Sequence, residues 1–112
     1  MSRHSFTKGE RLRKSREFLL TRNEGKRFQT KSFILYILHN ELNITRLGVS
    51  VSSKVGGAVR RNRIKRLLRE FFRQNKELFP PSTDVMIVAK RGIALQGYGE
   101  VERELTDLLK SI

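Results

Sequence analysis

One stretch of the chain limits its possible folds more than any other. From Ala58 to about Glu77, the apolar residues Ile64, Leu67, Leu68, Phe71, Phe72 and Leu78 fall on one helical stripe. A stripe this wide must be buried on a sheet or on other helices, which counts against a helix lying on a membrane surface. The rest of the helix is cationic. Arg60, Arg61, Arg63, Lys65, Arg66, Arg69, Arg73 and Lys76 crowd into 17 positions, and Glu70 is the only acid between Lys54 and Lys76. Positions 61, 65 and 69 repeat every four residues, and 66, 69 and 73 every three to four, so a cationic ridge runs beside the apolar stripe. A merely solvated face mixes signs, whereas this one repels itself and calls for a polyanion. Arginine's planar fork suits bidentate phosphate contact. Gly56-Gly57 lead into the helix N-terminus, where free N–H groups favour an anion.

The charge is uneven along the chain. Of 112 residues with a net charge of +13, residues 1–76 hold 20 Lys+Arg and 5 acids, while residues 77–112 hold 4 and 6. Nucleic acid is the default polyanion, because neutralised phosphates release counterions. The hydrophobic fraction of 38% supports a modest core and excludes a disordered basic tail. Cysteine is absent, which removes disulfides, thiolate metal sites and cysteine nucleophiles, and points to a reducing, cytoplasmic setting. No apolar run approaches the ~20 residues that span a bilayer. The start, Met1-Ser2-Arg3-His4-Ser5-Phe6, has no apolar segment behind it, so no secretory signal is expected.

Residues 1–14 are expected as a flexible basic arm of a single domain covering 1–112. Ser15 reads as the N-cap of a short helix carrying Phe18, Leu19 and Leu20 and closed by Gly25. Residues 31–39 and Thr45 to Ser52 read as strands that pair in an antiparallel hairpin. In the second, Leu47, Val49 and Val51 point one way and Arg46, Gly48, Ser50 and Ser52 the other. After the basic helix, Pro80-Pro81 act as a stop. Asp84 to Lys90 reads as an inner strand, Gly92 to Gly99 as a loop, and 100–111 as a helix with Val101, Leu105, Leu108 and Leu109 inward. Pattern alone yields three strands and three helices, an α+β or α/β sandwich.

Enzyme signatures are missing: no GxSxG, no Walker A loop and no HExxH. His4 and His39 read as surface residues, Asp84 as turn chemistry after Pro-Pro-Ser-Thr, and Asp107 as one of several acids on a helix surface. No carboxylate pair is spaced for acid–base or two-metal work. No catalytic residue and no protein-bound metal are expected.

The segment Lys54-Val55-Gly56-x-Ala58-Val59, then Arg61-Asn62-Arg63-x-x-Arg66, then Leu67-Leu68-Arg69-Glu70-x-Phe72-Arg73, resembles the signature of the bacterial ribonuclease P protein family. Arg11-Leu12, Ser15-x-x-Phe18, Phe33 to Tyr36, Leu47-Gly48-Val49-Ser50-Val51-Ser52 and Asp84-Val85-x-Ile87-Val88-Ala89 follow in family-like order, so the resemblance covers about residues 6–110.

The resemblance implies a single α+β sandwich similar to a ribosomal-protein domain. A roughly four-stranded mixed sheet packs on helices, with a left-handed βαβ crossover through the arginine-rich helix. The first strand then begins around Gln29-Thr30. It implies a protein subunit that binds a catalytic RNA and the 5′ leader of precursor tRNA, one protein per RNA. The RNA, with Mg2+, removes the leader. Lys54, Arg60, Arg61, Asn62, Arg63, Lys65, Arg66 and Arg69 match the surface for the catalytic RNA. Phe18 and Tyr36 match the aromatics of the leader cleft, with Ser50 and Ser52 on its floor. From the residues alone, Phe18 and Tyr36 are also open to core packing. The family often has a second aromatic one turn after Phe18. Here Arg22 stands in that place, able to stack on a base or grip a phosphate. The alternatives are a non-catalytic ribosomal or other structured-RNA-binding protein, and a DNA-binding module with the basic helix in a major groove.

Overall fold

The computed structural model describes residues 6–94 and 97–112; His4 lies outside them. The elements run α1 (Ser15–Glu24), β1 (Lys26–Gln29), β2 (Phe33–His39), β3 (Arg46–Ser50), α2 (Ala58–Gln74), β4 (Thr83–Ala89) and α3 (Tyr98–Ser111). The four strands form one mixed sheet in the order β1-β2-β4-β3. The β1/β2 and β2/β4 pairs are antiparallel and β3/β4 is parallel. Because β3 and β4 are parallel neighbours joined through α2, the chain contains the crossover unit of the expected α+β sandwich.

The expected strand pairing, the strand count read from pattern and the end of the basic helix are corrected. Residues 31–39 and 45–52 do not form a hairpin, because β4 lies between β2 and β3. β4 is the most thoroughly buried strand and takes a central place. β3, with Arg46, Gly48 and Ser50 on one face, takes an outer one. The strand hairpinned to β2 is β1, Lys-Arg-Phe-Gln, whose single apolar residue shows no alternation. The basic helix stops at Gln74, before the prolines, and a short 3-10 turn follows over Lys76–Leu78.

The sheet uses its two faces differently. On one, Phe33, Leu35, Leu47, Val85 and Ile87 pack against Ile64, Leu68, Phe71 and Phe72 of α2 and against Val101, Leu105 and Leu109 of α3. Burial of each such side chain contributes about 1.5–3 kcal/mol, so this layer carries most of the fold's stability. On the other face, the register aligns Arg27, Tyr36, Met86 and Gly48 in one row across the four strands, and Gln29, Ile34, Val88 and Ser50 in the next. α1 lies on this second face.

The arm expectation fails for the described part of residues 1–14. The Phe6 ring stands edge-on to Phe72, with centroids 5.4 Å apart. Glu10 accepts hydrogen bonds from the Thr7 amide (2.9 Å) and hydroxyl (3.0 Å), and pairs with Lys76 at 2.8 Å. Leu12 is buried, and its N–H donates to the Leu47 carbonyl at 3.0 Å. The segment thus seals the outer edge of β3.

Candidate RNA interface

The apolar stripe of α2 faces the core, so its remaining sides present the predicted cations together. Lys54, Asn62, Arg63, Arg66 and Arg69 are exposed, while Arg60, Arg61 and Lys65 are half-buried. Arg60 also serves the fold, donating to the carbonyl of Ile93. The Nε of Arg61 is shielded, with no hydrogen-bond partner among the described residues. The one acid, Glu70, is bound by Arg73 at 2.7 Å. That hydrogen bond, against slight desolvation, holds the Glu70 carboxyl below its usual range and raises the Arg73 guanidinium. Glu70 therefore stays ionised, and its charge is set against Arg73, which lies outside the predicted set.

The residues matched to a leader cleft lie on the opposite side of the sheet. Phe18 and Thr21 form the inward side of α1, with Thr21 fully buried. Phe18 sits directly over Gly48: a Cβ there would come within 2.5 Å of its ring. Glycine at 48 is thus required by the close approach of the ring. Tyr36 is half-buried in the same cross-strand row, separated from Gly48 by Met86 of β4. Ser50 is half-buried one row along, Ser52 is exposed beyond the strand end, and Arg22 is exposed one turn after Phe18. Phe18, Tyr36 and Ser50 therefore share one face. Both aromatics keep some exposure on that face, outside the main core.

Two features of this site were not read from the sequence. The first is an ionic cluster at the start of α1. Arg46 grips Asp84 through Nε (2.8 Å) and Nη2 (2.7 Å), and its Nη1 donates to Glu17 Oε2 at 2.9 Å. Asn40 donates a further hydrogen bond to Asp84 at 2.8 Å. Asp84 is thus a buried member of β4 and not a turn residue. Desolvation pushes the Glu17 carboxyl up, but the Arg46 guanidinium and the Lys14 amide outweigh it, and its pKa falls below the ordinary value. The hydrogen bonds to Asp84, working against desolvation, push the Arg46 guanidinium above its already high value. Only knowledge of strand order could have found this cluster. The second feature is a cavity of about 190 Å³ around the β3 edge, where Arg11, Arg13 and Phe18 meet Arg69 of α2. It links the cationic helix to the opposite face.

Among the described residues, no group of three or more His, Cys, Asp or Glu is placed to hold a metal ion. Among them, no helix is long and apolar enough to cross a membrane.

The family model described as Ribonuclease P matches residues 6–112. The chain belongs to the ribonuclease P protein family. It is 47% identical over 109 residues to the ribonuclease P protein component of Syntrophus aciditrophicus, an alignment covering 97% of this chain and 92% of that protein. Its fold matches the RNase P protein of Staphylococcus aureus with a TM-score of 0.82 at 31% identity, covering 91% of this chain and 94% of that one. It matches the RNase P protein from Thermotoga maritima with a TM-score of 0.80 at 36% identity, covering 92% and 97%. The chain is therefore a protein subunit of ribonuclease P, the ribonucleoprotein endoribonuclease of tRNA processing, and its partner is the ribonuclease P RNA. The ribosomal-protein alternative is not favoured.

Proposed function

We propose that the two faces of this subunit hold two different RNAs. The α2 face and its preceding loop, through Lys54, Arg61, Asn62, Arg63, Lys65, Arg66 and Arg69, with Arg60 in support, bind the catalytic RNA. The opposite face, with Phe18, Arg22, Tyr36, Ser50 and Ser52, receives the single-stranded 5′ leader of precursor tRNA. The observation that carries this reading is the arrangement of α2, whose cations stand together while its one acid is bound by Arg73. On the leader side, the half-buried aromatics fit base stacking, worth about 1–3 kcal/mol per base. Arg11, Arg13 and Arg69 around the β3 edge supply a positive path between the faces.

The protein's part in the reaction is electrostatic and positional. Phosphates of two RNAs repel as they approach, and the cations of α2 reduce that repulsion. The cleft fixes the leader so that the scissile bond lies where the RNA can act on it. Mg2+ acting with the RNA supplies Lewis-acid chemistry for hydrolysis. The assembly works in the cytoplasm, with one protein per RNA.

Reconstitution with ribonuclease P RNA tests this. The protein alone should leave precursor tRNA intact, while adding it to the RNA should restore single-site cleavage at a Mg2+ concentration too low for the RNA alone. Absence of that rescue would refute the proposal. With six or more phosphate contacts, affinity for the catalytic RNA should fall about 10³-fold between 50 and 200 mM salt. Arg66→Ala should weaken binding to the catalytic RNA and lower the salt slope by about one. Phe18→Ala and Tyr36→Ala should instead reduce the preference for precursor over mature tRNA.

A further inference from the structure

α1 is attached to the sheet by unusual means. It buries only Thr21 fully, while Leu19 and Leu20, at 60% and 54% exposure, face outward. Hydrophobic packing alone therefore holds it weakly. Its firm contact is ionic. Glu17 accepts a hydrogen bond from the Lys14 amide with one carboxylate oxygen (3.4 Å) and from Arg46 with the other (2.9 Å). Arg46 cannot drift, because the rest of its guanidinium fork is held by Asp84, which Asn40 holds in turn.

The two ends of this linkage are matched in register. Glu17 immediately precedes Phe18 on α1. Arg46 lies two residues before Gly48 on β3, hence on the same side of that strand. The ionic contact and the ring-on-glycine contact are thus adjacent points of one joint. We propose that Glu17 and Arg46 are positioning residues for the substrate: their ion pair latches the first turn of α1 to β3 and thereby sets where Phe18 presents its ring to the leader. Neither residue has to touch RNA. The proposal rests on the reading of the Phe18 face as the leader site.

The test uses the holoenzyme reconstituted with its ribonuclease P RNA, with matched precursor and mature tRNA. Glu17→Gln removes the charge but keeps an oxygen for the Lys14 amide. Arg46→Lys keeps a cation beside Asp84 but loses the fork that spans both carboxylates. Each should lower the precursor preference by about threefold, within the range of coupled neighbouring residues, and leave affinity for the catalytic RNA unchanged. In a Phe18→Ala background, neither should lower it further. Additive losses in that background would overturn the latch.

A second measurement keeps the latch separate from the leader reading. The chain has no tryptophan, so Phe18→Trp introduces a single indole at the joint. Adding Glu17→Gln or Arg46→Lys to it should shift the emission to the red in the folded protein. An unshifted emission would overturn the latch. A shifted emission together with a Phe18→Ala holoenzyme of normal precursor preference would support the latch and refute the leader assignment instead.

Discussion

α2 and α1 lie on opposite faces of one sheet and are fastened by opposite means. α2 sends Ile64, Leu68, Phe71 and Phe72 into the core, so apolar packing carries its attachment, and Arg63, Arg66 and Arg69 stay exposed. α1 buries only Thr21 fully and depends on an ion pair and one ring seated on a glycine. Apolar packing offers no charge for salt to screen and no group to titrate, whereas an ion pair at a partly exposed joint responds to both. The helix bearing the proposed RNA-binding charge is thus the one fastened by the core. The helix beside the proposed leader path is the adjustable one.

The contrast is tested first where the effect should be largest. Phe72→Ala removes a fully buried ring that also supports Phe6 and Phe79, and should cost about 3–5 kcal/mol in denaturant unfolding. Asp84→Ala attacks the other attachment. It strips Arg46 and Asn40 of their shared acceptor, and should cost about 2 kcal/mol by thermal unfolding. That is less than the 3–5 kcal/mol of a fully buried pair, because the Arg46 side chain keeps 17% exposure. Equal costs for the two variants would erase the distinction between the faces.

The same contrast explains what the sequence disclosed. α2 was legible because apolar residues at helical spacing state both the helix and its buried side, and β4 because an unbroken apolar run implies cover on both faces. β1 was not, since four residues with Phe28 as their one apolar member show no period. The mistaken hairpin between β2 and β3 has a related cause: adjacency in sequence suggests pairing, while burial gives β4 the place between them. At the site, the cationic face was legible as charge, but the leader cleft entered only through family resemblance. The Glu17–Arg46–Asp84 cluster joins residues 29 and 38 positions apart, a relation that depends on strand order and leaves no local pattern.

Gly48→Ala sharpens the comparison at one atom. The new Cβ would meet the Phe18 ring at 2.5 Å, so the ring must move, at about 1–2 kcal/mol for local overpacking. Because the ion pair is untouched, this variant separates the seat of the ring from the latch. Thermal unfolding gives the cost, and precursor preference in the holoenzyme should fall as for Phe18→Ala. A normal preference would mean that the position of Phe18 is unimportant to the substrate.

The smallest effect is that of acid, and its sign follows from Glu17. Its folded pKa lies below the ordinary value of 4.5, so its contribution to stability is complete above that value and disappears as the pH falls through the lowered one. Glu10 and Glu104 are lowered as well, in each case against desolvation. Lys76 and Thr7 act on Glu10, and the Ser32 and Thr30 side chains on Glu104. Acid therefore loosens several polar ties at once, but α1, unlike α2 and α3, has only the Phe18 ring on Gly48 as an apolar anchor to fall back on. Amide-exchange protection factors should fall in α1 first as the pH drops below 4.5, while the amides of Leu68 and Phe71 in α2 stay protected. Simultaneous loss in both helices would show that α1 is held by the same cooperative core as α2, and the ionic joint would then be incidental to its attachment.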